Sequence, residues 1–449
     1  RMSEQLATLA EQLLSAARKA GAETADVIVV DGTSVSIDVR NGALEQAERS
    51  EGVDIGLRVL IGQRQANVSA SDTRPETMQQ MAERAVLMAR EAPEDPNLGL
   101  ADATQFAIDT DMTRLDLFDP SAEPDPAELQ DAAARTEAAA LENSGISQVQ
   151  SASASYGRHR VHLATSNGFS AGYARTGHSL SCVAISGTGA NMERDYDYDS
   201  RVYGSDMREP DDIGAEAALR AVARSGARKP KTGAYPVLFD ERIASSLIGH
   251  LLSAVNGAMI ARGSSWLRDA MGELVLPKGL NVIEDPHRPR IAASRLFDGE
   301  GLATAKRAIV DDGVLMGWTL DLATARQLGM SSTANASRGT SSAPSPSLTN
   351  IAMTQGEKSP AELMADMGTG LLVTSMIGST INPNTGDYSR GASGFWIENG
   401  EITYAVNECT IAGNLRDMLG RLIPSNDAQS HLTRVVPSLL IEGMTLAGD

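Results

Sequence analysis

Apolar and polar positions recur with two different periods along this chain, and the switches between them divide it into elements. Leu6, Leu9, Leu13 and Ala17 follow helical spacing between Ser3, a candidate N-cap, and Gly21, a helix stop. This predicts an amphipathic helix over 3–20. The period then becomes two. Val27 and Val29 lead to Asp31-Gly32, Val35, Ile37 and Val39 lead to Asn41-Gly42, and Val53, Ile55, Leu57, Val59 and Ile61 lead to Gly62. Alternation punctuated by Asp-Gly and Asn-Gly marks hairpins, so an antiparallel meander of about four strands is expected. Pro75 followed by Met78, Met81, Ala85 and Met88 on one face predicts a helix over 75–91. A methionine stripe at this spacing fits core packing better than a cofactor box.

Residues 92–127 hold prolines and many acids and read as a solvated connection. An Ala-rich helix follows over 127–142. From Ile146 the alternation returns, with Ser147, Val149, Ser151 and Ser153 on one face and a turn at Asn167-Gly168. Small and polar residues fill much of both faces through residue 190, which suggests strands that line a groove or a cavity, or form an edge. A helix is expected over 211–225, a boundary at Gly226–Gly233, and a strand over 235–239. Ile243, Leu247, Leu251 and Val255 form an i,i+4 stripe over 240–255. The Ser-, Thr- and Ala-rich stretch 331–347 reads as a mobile loop whose deletion leaves the rest folded. Ser359-Pro360-Ala361-Glu362 is a capping box opening a helix. Strands run through 371–407 with turns at 382–386 and 398–400. The expected class is α+β: N-terminal antiparallel sheets with flanking helices, then a C-terminal, largely antiparallel β domain with a few helices. The expected divisions are 1–92, a connection over 93–126, 127–228 and 229–449.

Composition narrows the function classes. The 449 residues exceed a single core. With 4% aromatics, the core rests on Leu, Ile, Val, Met and Ala. No apolar run reaches the ~18 residues of a membrane helix. Arg1-Met2-Ser3-Glu4 lacks the basic-then-apolar pattern of a secretory signal, and Met2 reads as a native start with Arg1 an addition. Cys182 and Cys409 are too few for a disulfide framework, so a reducing cytoplasm is expected. A net charge of −19 without a basic stripe disfavours nucleic acid.

Several chemistries fail on spacing. Gly187-Thr-Gly189 and Gly299-Glu-Gly301 lack the third glycine of a dinucleotide loop, and no phosphate-binding loop of the Lys-Ser/Thr type is present. Gly391-Ala-Ser-Gly394 is one residue short of a nucleophile elbow. His159 and His162 lie three apart on a strand and face opposite sides. His250 has no second His or Glu at a ligand offset. Asp195, Asp197 and Asp199 have the spacing of a calcium loop, but Ser200 stands where glycine is needed. A strand with Asp on one face and Tyr196 and Tyr198 on the other explains the segment better, as a groove wall.

Six segments carry a further signal: Arg262-Gly-Ser-Ser-Trp266, Met271-Gly-Glu-Leu-Val275, Leu296-Phe-Asp-Gly-Glu-Gly301, Pro383-Asn-Thr-Gly-Asp387, Gly394-Phe-Trp-Ile-Glu-Asn-Gly400 and Glu408-Cys-Thr-Ile-Ala-Gly-Asn414. With the N-terminal hairpins and Arg194–Tyr198, they resemble the TldD/PmbA family, also called modulators of DNA gyrase, over nearly the whole chain. The resemblance implies a heterodimeric metalloprotease of unfolded or extended peptides. One subunit, TldD, carries His-Glu-x-x-x-His on a helix. The two His, roughly a turn apart, hold zinc, and the Glu is the base for its bound water. Counting back from Arg262-Gly263, the His positions fall on Ile248 and Ser253 (or a near neighbour) and the Glu position on Gly249. The tail Ile423-Pro-Ser-Asn-Asp427 also lacks the cysteine of the catalytic subunit. The resemblance therefore implies a PmbA/TldE-type subunit with no catalytic or metal-ligating residue of its own. It also implies zinc in a TldD-like partner and an unfolded peptide as substrate. Candidate groove residues are Asp195, Tyr196, Asp197, Tyr198, Arg262, Ser264, Ser265, Asn382 and Asn384. Two alternatives stand beside it: a self-associating, homodimeric metallopeptidase, and a gyrase-linked or peptide-binding regulator without protease activity.

Overall fold

The computed structural model describes residues 2–448, so the reading of Arg1 lies outside it. Its first half runs α1 (Met2–Ala20), β1 (Thr24–Arg40), β2 (Ala43–Ile61), β3 (Arg64–Ala70), α2 (Pro75–Glu91), α3 (Pro126–Leu141), β4 (Ile146–Thr165), β5 (Ser170–Ser186), β6 (Glu193–Arg201) and α4 (Pro210–Ala223). The strands form one antiparallel sheet in the order β3-β2-β1-β4-β5-β6, which joins chain from both sides of the acidic connection. All four helices cover one face. Helices α1 and α2 bury Val27, Val29, Ile55 and Leu57, while α3 and α4 bury Val35, Ile37, Ala154 and Cys182.

Local differences from the sequence reading have physical causes. Helix α1 begins at Met2, so Ser3 sits inside its first turn and is not its cap. Asp31-Gly32 is not a turn, because β1 passes straight through it. A Cβ on Gly32 would lie 3.2 Å from the His159 ring, so this glycine relieves cross-strand crowding. The meander therefore has three long strands. Asn41 and Gly42, with φ of 52° and 75°, supply the tight turn between β1 and β2. In β4 a bulge between Val149 and Ser151 shifts the register, so Ala152 and Ala154 rather than the serines face the core. Their small side chains let α3 and α4 pack closely and do not line a groove. The acidic connection is also packed: Met112, Leu115 and Leu117 are buried with Phe169, Leu296 and Phe297.

The second half runs β7 (Gly233–Phe239), α5 (Glu241–Ala254), α6 (Gly257–Ala261), β8 (Val282–Glu284), β9 (Arg307–Asp311), β10 (Val314–Leu315), α7 (Leu322–Leu328), β11 (Ala336–Ser337), β12 (Ser345–Pro346) and β13 (Ile351–Met353). It ends with α8 (Pro360–Met367), β14 (Gly370–Ile381), β15 (Asp387–Glu398), β16 (Glu401–Asn414), α9 (Leu415–Gly420), β17 (Ile423–Pro424), β18 (Arg434–Val435) and β19 (Leu439–Ala447). Strands β16-β15-β14-β7-β19 close into a ring, because β16 also pairs with β19. A sheet in the order β10-β9-β8-β13-β18 shares its core with this ring and with Leu247, Ile248 and Leu251 of α5. Strands β7 and β14 pair parallel, as do β13 and β18; the other pairings in these two sheets are antiparallel. The class is α+β, as expected.

The stretch 331–347 differs from the mobile loop expected of it. Beyond Ala334 and Ala336, its anchors are polar. Asn335 is buried and donates to Glu284 at 2.9 Å. Arg338, 1% exposed at its side chain, pairs with buried Asp26 of β1, which also holds Arg58 at 2.7 Å. Burial alone would raise the Asp26 pKa, but Arg338 and Arg58 together hold it below the ordinary carboxylate value. Deleting this stretch would strip a buried ion cluster of a member.

Candidate functional site

Helix α5 starts at Asp240, whose carboxylate accepts from the Arg242 amide at 3.0 Å. The helix keeps its apolar stripe on the core, and that decides what the motif positions can do. Ile248 is fully buried among Leu247 and Leu251, Gly249 has no side chain, and Ser253 is exposed to solvent. An aliphatic group, a hydrogen and one exposed hydroxyl do not make a zinc donor set. Next to them His250 packs edge-on against Tyr388, and its Nε2 is buried with no hydrogen-bond partner among the described residues. Burial, with help from Arg390, pushes its pKa down to about 4, so the ring is neutral and apolar in role. Among the described residues no group of three or more His, Cys, Asp or Glu side chains is placed to hold a metal ion. The residues present do not fit zinc.

The better-developed concavity is a cleft of about 540 Å³ where β6 meets α4, the start of α5 and residues 429–434. Strand β6 is the outer strand of the first sheet. Its alternation places Asp195, Asp197 and Asp199 in the interior, while Tyr196 and Tyr198 are 41% and 49% exposed with stacked rings 6.1 Å apart. The buried carboxylates are engaged by arginines. Asp195 pairs with Arg242 at 3.1 Å, Asp197 with Arg208 at 2.8 Å and Arg220 at 3.1 Å, and Asp199 with Arg201 at 2.9 Å. Each cation neutralises a charge that burial would otherwise penalise, which leaves no calcium site. On the opposite wall, burial raises the Glu241 pKa against a hydrogen bond of 2.6 Å from Gln429. His431 sits 3.8 Å from Asp199. Burial lowers its pKa and the nearby Arg201 pushes the same way, against the attraction of Asp199.

The remaining sequence candidates lie elsewhere. Ser265 is buried, donates to the Ala254 carbonyl at 2.5 Å and accepts from the Leu267 amide, so it ties the end of α5 to the next loop. Asn382 accepts from the amides of Asn384 and Thr385 and shapes its own turn. That turn meets the 262–266 loop where Gly386 lies against Trp266. Arg262 is exposed and Ser264 half-buried there, and neither lines the β6 cleft. Sequence reasoning found the Asp/Tyr strand but missed Arg208, Arg242, His431 and Arg434. They come from three segments that meet only in the folded chain. The recurrence of arginine at 201, 208, 220 and 224 was the one local sign.

Comparison with known proteins gives one consistent pattern. Domains described as PmbA/TldA metallopeptidase domain 1, central domain and C-terminal domain match residues 25–89, 119–225 and 232–448. The chain is 36% identical over 427 residues to Metalloprotease PmbA of Escherichia coli O157:H7, covering 95% of this chain and 92% of that protein. It is 35% identical to a Metalloprotease PmbA homolog of Haemophilus influenzae, over 96% of this chain and 94% of that one. A crystal structure of a candidate modulator of DNA gyrase from Bacteroides thetaiotaomicron superposes with a TM-score of 0.90 at 27% identity, covering 98% of each chain. TldE from Thermococcus kodakarensis shares the fold, with a TM-score of 0.85 at 19% identity over 98% of this chain and 100% of that one.

Proposed function

The chain belongs to the PmbA/TldD metallopeptidase family, and from that premise we propose that it is the subunit without a metal site in a TldD/TldE-type protease that processes unfolded or extended peptides. What supports this reading is helix α5, where the residues counted to the His-Glu-x-x-x-His positions, buried Ile248, Gly249 and exposed Ser253, offer no zinc donor set. Zinc and its activated water then belong to a TldD-like partner. This chain contributes a wall of the substrate chamber, in which main-chain hydrogen bonds at a sheet edge hold peptides with little regard to sequence. Its working compartment on this reading is the cytoplasm; no helix among the described residues is long and apolar enough to cross a membrane.

The test is reconstitution. An unfolded peptide is incubated with zinc and this chain, with zinc and a TldD-like partner, and with zinc and both. Cleavage that needs the mixture supports the accessory role. Chelator-sensitive cleavage by this chain alone sinks it and favours a self-sufficient homodimer.

A further inference from the structure

Along the outer edge of β6, side chains among the described residues already meet the Arg194 carbonyl, both groups of Tyr196 and the Ser200 amide. Arg220 donates to the Tyr196 carbonyl at 2.9 Å and Arg224 to the Arg194 carbonyl at 2.7 Å. The amides of Tyr196 and Ser200 donate to the carboxylates of Asp195 and Asp199. By the alternation of antiparallel pairing, Tyr198 is the next residue to turn its N–H and C=O outward. No side chain meets either group among the described residues. An open backbone rung in a cleft is where one residue of an extended chain can add to the sheet.

The charge around that rung is unevenly used. Arg208 and Arg220 share Asp197, and Arg201 holds Asp199 through Nε alone. Arg434, half-buried on the facing segment, donates to the Thr349 carbonyl at 2.5 Å and has no carboxylate within ion-pair distance among the described residues. Of the acids opposite, Glu216 is paired with Arg220 and Glu241 is bonded by Gln429. The nearest carboxylate influence on Arg434 is Glu284, which Arg307 already holds, so this guanidinium facing a cleft keeps donors in the fork geometry that suits a carboxylate.

We propose that the β6 cleft receives the C-terminal end of an extended peptide, with Tyr198 pairing to its main chain and Arg434, flanked by Arg201 and Arg208, receiving its terminal carboxylate. This rests on the reading that the chain handles extended peptides and adds which end it holds. It makes this subunit an anchor that positions the rest of the peptide for a partner's chemistry.

The probe is a fluorescein-labelled decapeptide of Gly, Ser and Ala, prepared as the free acid and as the C-terminal amide, with binding to the full chain read by anisotropy. The acid should bind about tenfold more tightly, a difference of about 1.4 kcal/mol. Arg434→Gln should remove that preference while leaving the amide's affinity and the melting temperature unchanged. If that variant fails to fold, the Arg201→Gln/Arg208→Gln pair serves instead, since Asp197 keeps Arg220 and Asp199 keeps the Arg208 and Ser200 amides. Equal binding of acid and amide by the unmodified chain overturns the carboxylate assignment and leaves the peptide reading standing. Binding of neither overturns both.

Discussion

Glu300 shows how one buried group sets a pH limit. It is 5% exposed, and its carboxyl accepts from the Leu322 amide at 3.0 Å. Burial, reinforced by Asp298, pushes its pKa from 4.5 up to about 8. The folded state therefore holds a proton that the unfolded chain has released over that interval. The contribution is fully present below about pH 4.5 and is lost as pH rises through about 8. We expect the melting temperature to fall between pH 6 and 9. Glu300→Gln, which keeps an acceptor for Leu322 and has no charge to expose, should flatten that fall. A variant with the same alkaline slope as the parent would show that another group is responsible. Nothing in the sequence marks Glu300 as titratable at this pH. Its Gly-Glu-Gly spacing says nothing of burial, and only the fold brings it to the Leu322 amide and into the field of Arg58.

At the scale of elements, the hairpin β11–β12 lies against the open face of the first sheet. Gly56 of β2 makes that approach possible: a Cβ there would come within 2.2 Å of the Thr340 carbonyl oxygen. Gly56→Ala should lift the hairpin while leaving the helix-covered face untouched. Limited proteolysis should then cut between Arg338 and Ser345 at a rate at least tenfold above the parent. Equal resistance would mean that the hairpin can shift without detaching. This contact also marks where the sequence stops being readable. Helices α2 and α5 and the turns at 41–42 and 382–386 were legible, because capping, stripe and turn signals act over a few residues. The three-strand meander and the docked hairpin were not. Gly32 reads as part of a hairpin turn and Gly56 has no local signal, yet each is set by a neighbour distant in sequence, His159 in one case and Thr340 in the other. The candidate site divides the same way. The Asp/Tyr alternation of β6 follows from period two, whereas the arginines that meet it depend on the packing of the two halves.

At the scale of the whole molecule, the join between the first sheet and the second half is largely made by arginines. Arg338 reaches Asp26 and Arg242 reaches Asp195. Arg290 reaches Asp116 at 2.7 Å, Arg175 the Ser294 carbonyl at 2.7 Å and Arg326 the Gly99 carbonyl at 3.0 Å. Apolar contact joins them too, centred on Phe169 against Phe297 with ring centres 5.3 Å apart. Exposed pairs of this kind are each worth little, so cooperativity between the halves rests on the buried members. Removing Asp26 leaves Arg58 and Arg338 buried without a carboxylate, a cost of about 3–5 kcal/mol placed at the junction and not in either core. The unmodified chain should therefore melt in one calorimetric transition. Asp26→Ala should split it, the first sheet and the ring of β7, β14, β15, β16 and β19 unfolding at separate temperatures, while the two cores keep their own packing. A single transition merely shifted downward would place the coupling in the Phe169–Phe297 contact instead, and Phe297→Ala would then be the variant that splits it.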